Sequence, residues 1–423
     1  MNYKNYKPSG IEWIGEIPEH WEISKLKYSV KHIVSGGTPS TSIVDYWDNE
    51  KGIPWVSISD ISKSNGILIQ TEKKITLKAI NDYNLEIIPK GTILVSIFAS
   101  LGKMTLLNIS AVVNQAILGL IANDSILIVS FIRYYFSFME NYISYYSSEN
   151  TQENLNLTKI KNLPVILPPL SEQILIANFL DDKTSKIDSL IEKKKKLIEL
   201  YKEERTAVIN HYVLGQHLLS IDNSQLTIDN YPLSINNYQL PKHWEVKKLK
   251  YVLSIKSGDG IKSEEIDFEG TYPVYGGNGI MGYSENFNSD KLDIIIGRVG
   301  AKCGNVRLVD GKKWISDNAL VAKVFEGFDH KFISILLESI NLNSLANQNA
   351  QPLITGTLVR EKVVCVPQKI EEQQQIVEYI EAETKRIDEK IKRTEKEIEL
   401  LQEYRTVLIS EVVTGKIKVI DNV

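Results

Sequence analysis

From position 177 onward, core-type residues recur at alternating steps of three and four. The series is Ala177, Leu180, Thr184, Ile187, Ile191, Lys194, Ile198, Tyr201, Arg205, Val208 and Tyr212. Two hundred positions later it returns as Val377, Ile380, Thr384, Ile387, Ile391, Thr394, Ile398, Leu401, Arg405, Leu408 and Val412. A three–four spacing held over five heptads is the pattern of a coiled-coil seam. Each copy is predicted as one long helix of about 65 Å. Laid over each other without a gap, 171–215 and 371–415 are identical at 17 of 45 positions. Thr184, Thr384, Arg205 and Arg405 are polar seam members, which fix register at some cost in stability. Two copies in one chain, packed antiparallel, would place a globule at each end about a pseudo-twofold axis.

The repeat extends beyond the helices. Pro18-Glu-His-Trp-Glu-Ile-Ser-Lys-Leu-Lys-Tyr28 returns as Pro241-Lys-His-Trp-Glu-Val-Lys-Lys-Leu-Lys-Tyr251. Trp21 stands 167 positions before Asp188, and Trp244 stands 144 before Asp388, so the halves share their ends and differ by 23 residues between. Between those ends the pattern changes to short β-branched runs bounded by turn residues, which read as strands. In the first half these are Gly52–Ser59, Gly66–Gln70 and Gly91–Phe98; in the second, Asp293–Gly297, Gly304–Val309 and Ala319–Val324. Ser130–Tyr146 and Asp329–Ser339 are the matching helices. Asn114-Gln-Ala echoes Asp317-Asn-Ala, whereas Gly36-Gly-Thr-Pro-Ser40 finds no clean twin in Ser257-Gly-Asp-Gly-Ile261.

The expected architecture is mixed α/β: globules over 1–165 and 241–365, long helices in 166–215 and 366–423, and a polar linker over 216–240 rich in Asn, Ser and Asp.

Composition narrows the function. The 423 residues are 43% hydrophobic and 24% charged, ordinary for a soluble globular protein. Cys303 and Cys365 stand alone, as reduced thiols do in a cytoplasmic protein. The N-terminus has no apolar signal region. The most membrane-like stretch, 111–132, is broken by Asn114, Gln115, Asn123, Asp124 and Ser125. The net charge of −4 runs against a simple nucleic-acid binder. Catalytic motifs are missing. Gly277-Asn-Gly-Ile-Met-Gly282 spells GxGxxG without the helix that a dinucleotide site needs. Glu245-Val-Lys247 has no repeated lysine, and no His-x-x-x-His spacing or carboxylate cluster suggests a metal.

Taken together, Trp13-Ile-Gly-Glu-Ile-Pro-Glu-His-Trp21, Gly36-Gly-Thr-Pro-Ser40, Ile53-Pro-Trp-Val-Ser57, Asn114-Gln-Ala116 and Leu167-Pro-Pro-Leu-Ser-Glu-Gln173, with Glu371-Glu-Gln373, resemble the DNA specificity subunit of Type I restriction-modification systems. The resemblance covers nearly the whole chain. It implies two target-recognition domains, each reading one half of a split, asymmetric double-stranded DNA target, with the helices as spacer. It implies two methyltransferase subunits and restriction subunits as partners. It also implies no catalysis and no cofactor on this chain, S-adenosylmethionine, ATP and magnesium being expected on the partners. A coiled-coil scaffold with two ligand-binding globules is the alternative, and a standalone nuclease has no motif in its favour.

Base edges are read by Arg and Lys at guanine, Asn and Gln at adenine, and Ser or Thr at several bases. The candidates in the first half are Thr38, Ser40, Thr41, Tyr46, Ser57, Ser59, Lys63 and Lys103. In the second they are Lys256, Lys262, Tyr275, Asn278, Tyr283, Arg298 and Lys302. Arg298 leads, in Gly297-Arg-Val-Gly300, which is expected to present its guanidinium on a flexible strand end.

Overall fold

The computed structural model describes residues 3–64, 66–97, 103–147, 157–214, 234–235, 238–239, 243–300, 302–346 and 352–419. The expected linker falls outside the described residues apart from Ser234–Ile235, paired antiparallel with Tyr238–Gln239. Contacts divide the chain into two units, Met1–Lys194 with Lys396–Val423, and Lys195–Glu395.

Both units are built on a sheet with one strand order. In the first it runs Val30–Ser35, Ile117–Ala122, Ile93–Ser96 and Met104–Leu107, with Ile67–Leu68 added at the edge. In the second it runs Leu253–Ser257, Ala319–Val324, Asp293–Gly297 and Val306–Val309. The run that looked membrane-like supplies the inner strand Ile117–Ala122, covered by neighbours on both edges. Among the described residues no helix is long and apolar enough to cross a membrane. A second, three-stranded sheet joins Val112–Val113, Ile53–Val56 and Lys73–Ile75 in the first unit. Its counterpart joins Trp314–Ile315, Tyr272–Gly276 and Gly279–Ser284. Ile58 and Ser59, expected in a strand, are helical. Ser57 and Asp60 form a capping box that starts the short helix Ile58–Lys63. Helices Val129–Ser147 and His330–Ser339 stand where the pattern puts them.

The long helices run Leu170–Val213 and Ile370–Val413. In the first unit Asp188 meets Arg405 at 2.9 Å and Lys194 meets Glu397 at 2.6 Å. Numbers rise on one helix as they fall on the other, so these segments are antiparallel. In the second unit Arg205 meets Asp388 at 3.1 Å and Tyr212 lies on Tyr379. Leu180, Ile187, Ile191, Ile380 and Ile387 are buried as seam residues, Ile391 half so. Thr184 and Thr384 are buried too, each hydroxyl donating at 2.7 Å to the carbonyl four residues back. Arg205 and Arg405 instead leave the seam to pair across it with the repeat's own aspartate.

Each globule is fastened to its helix by the same device. The Trp21 indole donates to Glu172 at 3.0 Å, with Tyr3 at 2.8 Å and His20 Nε2 at 2.6 Å on the same carboxylate. Trp244 and His243 meet Glu372, both at 2.9 Å. The next residue completes the joint. Gln173 accepts from Ile128 N–H at 2.8 Å and donates to Pro168 O; Gln373 accepts from Asp329 N–H at 2.8 Å and donates to Pro367 O. The second long helix closes at Gly415 (φ +76°), with Lys416 N–H on Glu411 O. A Cβ there would lie 2.4 Å from Pro18, so only glycine lets this helix end seat on the first entrance.

Burial alone would raise the Glu172 carboxyl, but hydrogen bonds from Tyr3, His20 and Trp21 outweigh it and hold the group below its ordinary value. The folded pKa therefore lies below the unfolded one. The stabilisation is complete above the ordinary glutamate pKa of about 4.3 and is lost as pH falls through the folded value. Glu172→Gln should flatten the acid limb of first-unit unfolding, as followed by Trp21 fluorescence. Glu172→Ala should cost about 1.5–3 kcal/mol near neutral pH.

Lys313 and Asp293 form a fully buried ion pair at 3.1 Å in the second unit, with Lys313 also donating to Gly311 O at 3.0 Å. Lys313→Ala would strand the carboxylate and should destabilise the second unit by about 3–5 kcal/mol in denaturant titration. Adding Asp293→Leu should recover much of that loss.

Candidate nucleic-acid interface

In both units the first sheet strand ends in Ser-Gly, at Ser35-Gly36 and Ser257-Gly258. A Cβ on Gly36 would lie 2.0 Å from Val113 O, and one on Gly258 would lie 2.3 Å from Ile315 O. Only glycine lets the backbones approach this closely. The next N–H donates to the same carbonyl, from Gly37 to Val113 O and from Asp259 to Ile315 O, both at 3.0 Å. Gly36 is therefore matched by Gly258, although the phrases around the two glycines differ in sequence. The loop facing it is also displaced by one from the apparent echo. Asn114 corresponds to Ser316, since Ile117 N–H and Ala319 N–H donate to their carbonyls at 3.1 and 3.0 Å.

An indole closes each turn. Trp55 donates to Gly37 O at 3.0 Å, and Trp314 donates to Asp259 O at 3.2 Å. The two tryptophans occupy different strands: Trp55 lies beside Val112, whereas Val274 lies beside Trp314. One cross-strand Trp–Val pair has been exchanged between the units while the hydrogen bond to the turn is kept. Sequence alignment by position could not show this, because neither tryptophan has a tryptophan opposite it.

Around the first turn, Thr38 is half-buried and Thr41 exposed. Ser40 is tied in by its N–H to the Tyr83 hydroxyl at 3.0 Å and by its carbonyl, which accepts from Trp47 at 3.1 Å. Two candidates support the fold instead. Tyr46 is buried, donating to Asp82 at 2.9 Å, and Ser57 is the helix cap. Ser59 is exposed in the first turn of that helix. Lys63 ends it, 3.5 Å from Glu72, and Lys103 is exposed just before the strand Met104–Leu107.

In the second unit the backbone segments that carry Asn278, Arg298 and Lys302 approach closely. A Cβ on Gly277 would lie 2.8 Å from Val299 O, and one on Gly297 would lie 2.2 Å from Gly277 O and 3.0 Å from Lys302 O. Arg298 is half-buried, and its Nη1 donates to Ser257 Oγ at 3.3 Å and Asp317 O at 3.1 Å. The guanidinium is thus anchored on the Ser-Gly turn, not carried on a flexible end. Ile97 holds the equivalent place in the first unit, its N–H on Ala116 O as that of Arg298 is on Asn318 O. Lys256 is exposed on the strand leading to the turn. Tyr275 and Tyr283 lie on the hairpin Tyr272–Gly276 and Gly279–Ser284, so the GxGxxG glycines belong to a hairpin turn and its second strand. Tyr283 bridges to Asp267 in a loop with Glu264, Glu265 and Glu269, and Lys262 belongs to the same acidic surroundings. Among the described residues no group of three His, Cys, Asp or Glu side chains could hold a metal.

The family model for the Type I restriction modification DNA specificity domain matches residues 18–200 and again 241–400. The specificity subunit of the Type I restriction enzyme MjaIX from Methanocaldococcus jannaschii is 30% identical over 263 residues, covering 60% of this chain and 57% of that protein. The EcoprrI specificity subunit from Escherichia coli is 25% identical over 370 residues, covering 85% and 87%. Among solved structures, a chain from work on complex assembly and conformational transition of the type I R-M system shares the fold with TM-score 0.69 at 15% identity, covering 95% and 99%. An HsdS subunit from Thermoanaerobacter tengcongensis does so with TM-score 0.55 at 16% identity, covering 99% and 100%. With the duplicated frame matched twice over by one model, the chain belongs to the family of the Type I restriction modification DNA specificity domain.

Proposed function

We propose that this chain is the DNA-reading subunit of a Type I restriction-modification complex, non-catalytic itself, and that it recognises an asymmetric two-part target in double-stranded DNA. The observation that carries the reading is one frame built twice with different edges. Both units keep the strand order, the Ser-Gly turn and the indole bond to it. What they set around the turn differs, with Thr38, Ser40 and Ile97 in one and Asp259, Lys256 and Arg298 in the other. Base edges are read by such side chains, so two edges of different chemistry call for two different half-sites.

Docking of methyltransferase and restriction subunits is supported by a repeated outer face on the long helices. Lys196, Glu199, Leu200, Glu203 and Thr206 are exposed and are matched by Lys396, Glu399, Leu400, Glu403 and Thr406, also exposed. Steps of three and four put each set on one helix face. Leu200 and Leu400 are more than half exposed at its centre, and nothing in the fold requires both copies to keep them. A partner present twice does. S-adenosylmethionine, ATP and magnesium would act on those partners.

Methylated adenines mapped in DNA exposed to this chain with its methyltransferase should fall in a split sequence. A continuous site, or no DNA affinity, would favour the scaffold reading. Inserting four residues at matching points of both helices adds about 6 Å and should lengthen the unread spacer while both half-sites keep their identity. Arg298→Ala should cost about 1–3 kcal/mol at one half-site only. Loss at both half-sites, with a lowered unfolding midpoint, would assign Arg298 to the fold.

A further inference from the structure

Of the exposed residues shared by both halves, one group is cationic. Lys25-Leu-Lys-Tyr28 returns as Lys248-Leu-Lys-Tyr251, and in each the leucine is buried while its neighbours are exposed, Lys250 partly so. Tyr28 and Tyr251 are both 63% exposed, with Lys27 Nζ 4.9 Å and Lys250 Nζ 5.3 Å from their ring centres. A second element adds charge in the same way each time. Leu26 N–H donates to Leu163 O at 2.8 Å, which brings in the end of helix Leu157–Lys161; Leu249 N–H donates to Lys362 O at 2.9 Å, which brings in the end of helix Gly356–Arg360. Lys161 and Arg360 are exposed there. Among these matched residues the units differ in charge at one position. Glu361 takes Lys248 at 2.6 Å and Lys250 at 3.3 Å, whereas Asn162 stands at the corresponding place in the first unit.

A feature kept by two domains with different reading edges must meet something common to both half-sites. In DNA that common element is the phosphate backbone, which positions a protein without carrying sequence. Lysine is depleted at protein–protein interfaces, while lysine and the tyrosine hydroxyl are ordinary phosphate partners. In a chain of net charge −4 a duplicated lysine patch is a local reversal of sign. We propose that Lys25, Lys27 and Tyr28, and their copies Lys248, Lys250 and Tyr251, bind DNA phosphates independently of sequence, the second patch being restrained by Glu361. This rests on the specificity-subunit reading and adds to it the surface that holds the duplex while other residues read it.

The test uses the full chain with its methyltransferase, a duplex carrying the mapped target and a scrambled duplex, each titrated across salt. Lys25→Ala with Lys27→Ala should weaken both duplexes by a similar factor, on the order of tenfold, and lower the salt slope by about 2. Glu361→Gln should tighten both and steepen the slope, a gain that misfolding cannot mimic. Unchanged slopes in both variants, with wild type still selecting its target, would overturn the proposal alone. Loss of methyltransferase co-purification with the slope unchanged would overturn it in favour of a protein-docking patch. A wild-type complex that fails to discriminate the duplexes would overturn the specificity reading, and this proposal with it.

Discussion

A buried indole N–H must find an acceptor, and in this chain that requirement joins each globule to its long helix. Trp21 is fully buried, and the acceptor within reach is Glu172 in the first turn of the helix. The carboxylate is suited to the place twice over, because a negative charge near a helix N-terminus also meets the unpaired N–H groups there. Trp244 and Glu372 repeat the arrangement. Gln173 and Gln373 then tie the same helix turn to the backbone before the globule's own helix. A helix tied at two adjacent side chains, one to the entrance indole and one to the backbone before the globule's own helix, is held in orientation against its globule.

On that fixed frame the two units diverge where divergence is tolerated. The Ser-Gly turn cannot change, since a side chain at Gly36 or Gly258 would collide with a carbonyl. The indole bond to the turn is kept even though its tryptophan moved to a neighbouring strand. Between these fixed points the loops differ in length and in charge. The second unit carries a buried Lys313–Asp293 pair where the first has Ala111 and Thr92 at the corresponding positions. Frame conservation with loop freedom is what lets one architecture present two different chemistries.

The net charge of −4 is a sum that hides this distribution. On the long helices acidic and basic residues nearly cancel, and their repeated outer face centres on an exposed leucine between glutamates. A repeated pair of lysines stands where each globule begins, at Lys25 and Lys27 and at Lys248 and Lys250. Net charge therefore argued against a nucleic-acid partner only as long as charge was counted over the chain and not by surface.

The sequence by itself determined the parts whose signal is periodic or duplicated. Seam spacing located both helices, because a heptad pattern reports its own burial. The repeated Trp and Glu-Gln motifs marked the joints, and β-branched runs marked most strands. Contact between motifs far apart in the chain was decided only in three dimensions. Trp21 and Glu172 are 151 residues apart, and no local pattern says that they touch. Register across strands revealed that Gly36 matches Gly258 and that a tryptophan had changed strands, since pairing, unlike sequence order, is set by backbone hydrogen bonds. The candidate residues divided for the same reason. Tyr46 and Ser57 are chemically fit to touch a base, but burial and a helix cap commit them to the fold, and the chain's neighbours in space make that choice.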